Sequence, residues 1–194
     1  MITQNSSNSK IANDIGEIVL SEEQIRQRIR ELGEAISKDF SDSATPDEPL
    51  IIIGILKGVV FFLADLLREL PIPVEVYFID IALHSAGTRA KGFQELDVTI
   101  GNAIEGRHVL FVEDIVDAGL TLSYMLRLIG LRNPQSISIC TLLSKESRRM
   151  MDIDIRYIGF EIPPLYVVGY GLDHNELYRN LPYIGLLKKH DQKK

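Results

Sequence analysis

The chain has 194 residues, a net charge of −6, 45% hydrophobic and 25% charged residues, and one cysteine. Length and composition fit one globular domain with room for a small accessory lobe. The acidic balance disfavours broad binding to nucleic acid, Cys140 alone excludes an internal disulfide, and no apolar stretch is long enough to span a membrane.

Residues 1–16 are polar, rich in Asn and Ser, and lack the apolar core of a secretory signal, so they read as a flexible tail. Together with the lone cysteine, this points to the cytoplasm. Ser21-Glu22-Glu23-Gln24 is a capping box. Ile25, Ile29, Leu32, Ile36 and Phe40 then recur at helical spacing. After a polar connection holding Pro46 and Pro49, Leu50 to Ile55 reads as a strand buried on both faces. Leu56-Lys57-Gly58 is a turn, Val59 to Leu70 a helix stopped by Pro71, and Val74 to Leu83 a second strand. Residues 84–100 lack periodicity and are long for a connection, which predicts a functional lid or disorder.

Gly106 marks a turn before the apolar run Val109 to Val112. Leu120 to Leu131 reads as a helix ended near Asn133-Pro134, and Ser136 to Leu143 as a strand holding a buried Cys140. Lys145 to Met150 is a polar turn or short helix, and Arg156 to Phe160 a further strand. The apolar run Leu165 to Tyr170 follows, and residues 188–194 form a basic tail. Strands alternating with helices predict an α/β fold with a parallel sheet covered on both faces. Ligands of such sheets bind beyond the carboxyl ends of the strands, where strand order reverses.

The densest chemistry lies in residues 109–122. The apolar run meets Glu113 and Asp114; Ile115, Val116, Asp117, Ala118 and Gly119 follow; Leu120 and Thr121 open a helix. A strand-to-helix turn of this kind offers free backbone N–H groups and a positive helix end to a phosphate. The neighbouring acids are suited to a sugar, a metal or a proton. Lys57-Gly58 and Lys145 also follow strand runs and are expected at the same edge.

This segment resembles the phosphoribosyl-diphosphate signature of the type I phosphoribosyltransferases, most closely the hypoxanthine (6-oxopurine) branch. Four other segments agree in order and spacing: Leu56-Lys57-Gly58, residues 141–145, residues 167–173 and residues 178–185. The resemblance implies a parallel twisted sheet flanked by helices in one domain over residues 17–187. Its small hood is drawn from the terminal segments, largely residues 17–40 and 155–187. It implies transfer of a phosphoribosyl group from 5-phosphoribosyl 1-diphosphate to hypoxanthine or guanine, with magnesium, in a homodimer or homotetramer.

By the same resemblance, Glu113 and Asp114 face the ribose hydroxyls and magnesium, with Asp173 as a further metal contact. Asp117 manages the proton at the purine N7. Ala118, Gly119, Leu120 and Thr121 cradle the 5′-phosphate, with Ile115 and Val116 in the same substrate loop. Lys57 and Gly58 resemble the pyrophosphate loop, where the family can carry a non-proline cis peptide, and Arg179 a further pyrophosphate contact. Lys145 resembles the lysine on the 6-oxo group, Tyr166 the aromatic that stacks on the base, and Val167 its backbone contact; His174 has no expected role. One departure stands out: relatives place a Ser-Tyr pair at the start of the lid, where this chain has Leu83-His84, then Ser85. Two other readings stay open: a nucleotide-sensing regulator on the same fold, and a transferase for another base such as adenine.

Overall fold

The computed structural model describes residues 13–80, 100 and 103–188. In chain order these form β1 (Ile15–Leu20), α1 (Glu22–Phe40), β2 (Leu50–Leu56), α2 (Val60–Arg68), β3 (Val74–Asp80), β4 (His108–Val116) and α3 (Leu120–Gly130). β5 (Ser136–Ser144), a 3-10 turn (Glu146–Arg148), β6 (Tyr157–Glu161), β7 (Val167–Val168) and β8 (Ile184–Leu187) complete them.

Five strands make a parallel sheet in the order β3-β2-β4-β5-β6. Its central strands are apolar on both faces because both faces are covered. Leu50 and Ile52 of β2, Leu110 and Val112 of β4, and Cys140 and Leu142 of β5 pack with α1 and α2. Ile51 and Ile53, Val109 and Phe111, and Ile139 pack with α3. Each of these large side chains stabilises the fold by about 1.5–3 kcal/mol through burial. Burial also pushes the Cys140 thiol well above its ordinary range.

α1 begins as its capping box predicts: Ser21 Oγ accepts from Gln24 N and Gln24 Oε1 accepts from Ser21 N. All five residues of the predicted stripe are buried. α2 stops at Arg68, two residues short of the sequence expectation. Glu69 leaves the helical region while its N–H still bonds the last turn, and Pro71 cannot extend it.

A second, antiparallel sheet has the order β1-β8-β7 and is drawn from the terminal segments, as expected of the hood. α1 packs against α2 in the main core, and β6 pairs with β5 as an edge strand. Residues 13–16 and 188 are held, since Asp14 O accepts Lys188 N at 2.9 Å and the Asp14 carboxylate accepts Tyr178 Oη at 2.9 Å. The predicted lid, with Leu83, His84 and Ser85, lies outside the described residues apart from buried Ile100.

Candidate active site

Strand order reverses between β2 and β4, because β3 lies on one side of β2 and the later strands on the other. The loops leaving β2 and β4 at this point are Lys57-Gly58 and Asp117-Ala118-Gly119, two of the segments singled out in the sequence.

Gly119 opens α3 with φ of 77°, a left-handed conformation natural to glycine, and places no side chain over the first turn. Its N–H groups are left for a ligand. An open cleft of about 330 Å³ forms here, lined by Glu113, residues 115–122 and Arg148. Leu120 is exposed, Thr121 likewise. Ala118 O accepts Met150 N at 3.1 Å, which ties the turn to the segment after β5.

Asp117 sits between two cations at the mouth of this cleft. Lys145 Nζ donates to Oδ2 at 3.1 Å. Arg148 Nε lies 2.8 Å from Oδ1 as an ion pair, without hydrogen-bond alignment. Lys145 is only 7% exposed, and its backbone N–H bonds Val116 O at 2.9 Å, which sets the end of β5 beside the end of β4. Arg148 escaped sequence reasoning. The available signal was its position three residues after Lys145 in a polar turn, which puts both on one side of a 3-10 helix.

On the other side of β4, Gly58 lies against the Asp114 carboxylate, leaving no room for a Cβ. Arg179 links the rest: Nη1 donates to Gly171 O at 2.7 Å, and Nη2 is 2.8 Å from Asp173 Oδ1 and 3.2 Å from Glu176 Oε2. Lys57 Nζ is also 3.2 Å from Glu176. The structure thus brings together Lys57, Gly58, Asp114, Asp173 and Arg179. The cis peptide is the Leu56–Lys57 bond, one bond before the one singled out in the sequence.

Tyr166 follows β6 through a loop whose Ile162 N–H bonds Ser144 O beside Lys145. Its ring is 47% exposed, and His174 packs edge-on against it with ring centroids 5.6 Å apart. Tyr166 Oη lies 3.0 Å from His174 Nδ1. His174, without an expected role, therefore braces the candidate stacking residue. Val167 is buried in β7.

The sequence pattern of the phosphoribosyl transferase domain matches residues 19–175. The chain belongs to the phosphoribosyltransferase family. It is 43% identical to the hypoxanthine-guanine phosphoribosyltransferase of Mycobacterium tuberculosis over 187 residues, covering 96% of this chain and 93% of that one. It is 42% identical to the enzyme of the same name from Bacillus subtilis, covering 91% and 95%. Among solved structures, a Trypanosoma cruzi hypoxanthine phosphoribosyltransferase in a ternary substrates complex aligns with TM-score 0.83 and 34% identity, over 92% of this chain and 98% of that one. A Leishmania tarentolae enzyme in complex with GMP aligns with TM-score 0.79 and 33% identity, over 91% and 99%.

The acids of this phosphoribosyltransferase sit in three different environments. Among the described residues, no three His, Cys, Asp or Glu side chains gather as a metal cluster, and Glu113, Asp114 and Asp173 each have different surroundings. Glu113 faces the cleft beside Thr121, Asp114 faces Gly58, and Asp173 is held by Arg179. Neighbours on a strand point to opposite faces, which separates Glu113 from Asp114. Burial, then the Asp114 charge, pushes the Glu113 carboxyl well above its ordinary range. Burial chiefly pushes Asp114 up to about 6, aided by Asp173 and opposed by backbone N–H donors and Arg179. Carboxylate oxygens are hard donors of the kind magnesium takes together with water, and a bound cation would favour their ionised forms.

Proposed function

We propose that this phosphoribosyltransferase transfers the 5-phosphoribosyl group of 5-phosphoribosyl 1-diphosphate to hypoxanthine or guanine, releasing pyrophosphate and forming IMP or GMP in purine salvage. The observation that carries the reading is Asp117, fixed by Lys145 and Arg148 at the mouth of the turn that opens α3.

The base nitrogen is the nucleophile, so the protein positions the partners, offsets phosphate charge and moves one proton. Gly119, Ala118 and Leu120 offer backbone N–H groups to the 5′-phosphate, and Thr121 its hydroxyl. Ile115 and Val116 shape the same loop. Glu113 and Asp114 accept hydrogen bonds from the ribose hydroxyls, and the charge on the oxocarbenium-like ribose favours their ionised forms. Asp117 exchanges a proton at the purine N7. Lys145 donates to the 6-oxo group; adenine's 6-amino group is itself a donor and is disfavoured there. Tyr166 stacks on the base, Val167 contacts its edge through the backbone, and Lys57, Gly58 and Arg179 receive the diphosphate. Glu113, Asp114 and Asp173 would hold magnesium together with substrate oxygens, and the ion would neutralise the diphosphate charge.

We place the enzyme in the cytoplasm, where its buried thiol stays reduced, and in a homodimer or homotetramer. Val60, Phe61 and Leu177 expose apolar surface near the Lys57 loop for a second copy to cover. Incubation with hypoxanthine, phosphoribosyl diphosphate and magnesium, followed by chromatography, is expected to yield IMP and pyrophosphate in equal amounts. Absence of product with both hypoxanthine and guanine would overturn the proposal.

A further inference from the structure

His174 to Leu177 form a two-residue hairpin turn. His174 N donates to Leu177 O at 3.2 Å and Leu177 N to His174 O at 3.0 Å. Both central residues are left-handed, Asn175 with φ of 52° and Glu176 with φ of 65°. Hairpin turns with two positive φ values favour Asn followed by Gly, because glycine has no Cβ to resist that conformation. Asn175 obeys the preference and Glu176 departs from it. A long anionic side chain stands where the backbone favours none.

The carboxylate of Glu176 ends 3.2 Å from both Lys57 Nζ and Arg179 Nη2. These cations come from distant parts of the chain. The ion pairs hold the Glu176 carboxyl below its ordinary range. Arg179 has a second carboxylate partner in Asp173, whose side chain is 30% exposed against 64% for Glu176. Glu176 is the more exposed partner of the two, and Asp173 pairs with Arg179 independently of it.

We propose that Glu176 is a built-in placeholder for the pyrophosphate subsite. Its carboxylate pairs with Lys57 and Arg179 in the empty site and yields them to the diphosphate of the substrate or to free pyrophosphate. Glu176 therefore sets the affinity for those ligands. The inference rests on the assignment of Lys57 and Arg179 to pyrophosphate made above.

The test titrates inorganic pyrophosphate, at saturating magnesium, into wild type, Glu176→Gln, Glu176→Gly and Lys57→Met by calorimetry. Glu176→Gly suits the left-handed backbone, so loss of the turn does not confound the result. Removing two exposed ion pairs that compete with the ligand is expected to tighten pyrophosphate binding about three- to tenfold in both Glu176 variants. The KM for phosphoribosyl diphosphate is expected to fall by a similar factor, with the KM for hypoxanthine unchanged. Unchanged or weaker pyrophosphate binding in the Glu176 variants would overturn the placeholder role. Lys57→Met separates the two ideas: if it binds pyrophosphate as wild type does, the subsite assignment fails. If it binds weakly while the Glu176 variants match wild type, only the placeholder fails.

Discussion

Gly58→Ala probes how tightly the loop after β2 is set against β4. A Cβ at this position would stand 2.8 Å from Asp114 Cγ and press into Asp114 Oδ2. Comfortable carbon contacts begin near ~3.5 Å, so the two groups must separate by roughly 1 Å. Neither side yields easily. Asp114 Oδ1 accepts from Ile115 N at 2.7 Å, so turning the carboxylate away forfeits that bond. Gly58 O lies against Gly171, so the loop has no free space behind it. A misplacement of about 1 Å in a positioned site costs on the order of 100-fold in rate, and overpacking costs about 1–3 kcal/mol of stability. Steady-state kinetics should show kcat/KM for phosphoribosyl diphosphate reduced to about a hundredth, and urea unfolding a loss within that range. Repeating the substitution in an Asp114→Ala background removes the clash, and the stability loss should then nearly vanish. A Gly58→Ala protein with wild-type kinetics and stability would refute the close packing of this loop on Asp114.

Asp114 itself should trade stability for function. Its carboxyl is pushed up from 3.8 to about 6 in the folded protein. Between these values the folded state keeps a proton that the unfolded chain releases, so stability falls as pH rises through that window and stays lower above it. Asp114→Asn should therefore stabilise the ligand-free protein at about pH 7.5 by on the order of 2–3 kcal/mol, with the gain gone near about pH 4. Equal stability at neutral pH in urea unfolding would contradict this. Asp117→Asn should lower kcat about 10²–10⁴-fold while the KM for phosphoribosyl diphosphate stays nearly constant; unchanged kcat would remove the proton role. Tyr166→Ala should raise the KM for hypoxanthine by about tenfold through lost stacking, and Tyr166→Phe should not; equal effects would assign the role to the hydroxyl and its His174 contact.

The main sheet and its edge were legible because local signals agreed with global ones. β-branched runs marked strands buried on both faces, the Ser21 box fixed the start of α1, and Gly119 marked a turn that needs a positive φ. Asp117 and Lys145 could be foreseen as neighbours because both follow strands that proved adjacent in the sheet. What stayed hidden depended on placement across the fold. The five residues of β6 suit either sheet, and the parallel pairing with β5, from Cys140–Tyr157 to Ser144–Glu161, decides between them. Arg148 reaches Asp117 through a three-residue 3-10 turn, too short to show a period. Glu176 reads as an ordinary surface acid until the hairpin turn aims it at Lys57 and Arg179.

The proposed function assigns base preference to Lys145, so the most direct measurement is the ratio of kcat/KM for hypoxanthine to that for adenine, in wild type and in Lys145→Ala. Taking the ratio cancels losses common to both bases, including any disturbance of Asp117. In wild type, hypoxanthine should turn over and adenine should not, and Lys145→Ala should reduce the ratio by about 100-fold or more. Comparable use of adenine by wild type, or a ratio indifferent to Lys145, would contradict the assignment of this site to 6-oxopurines.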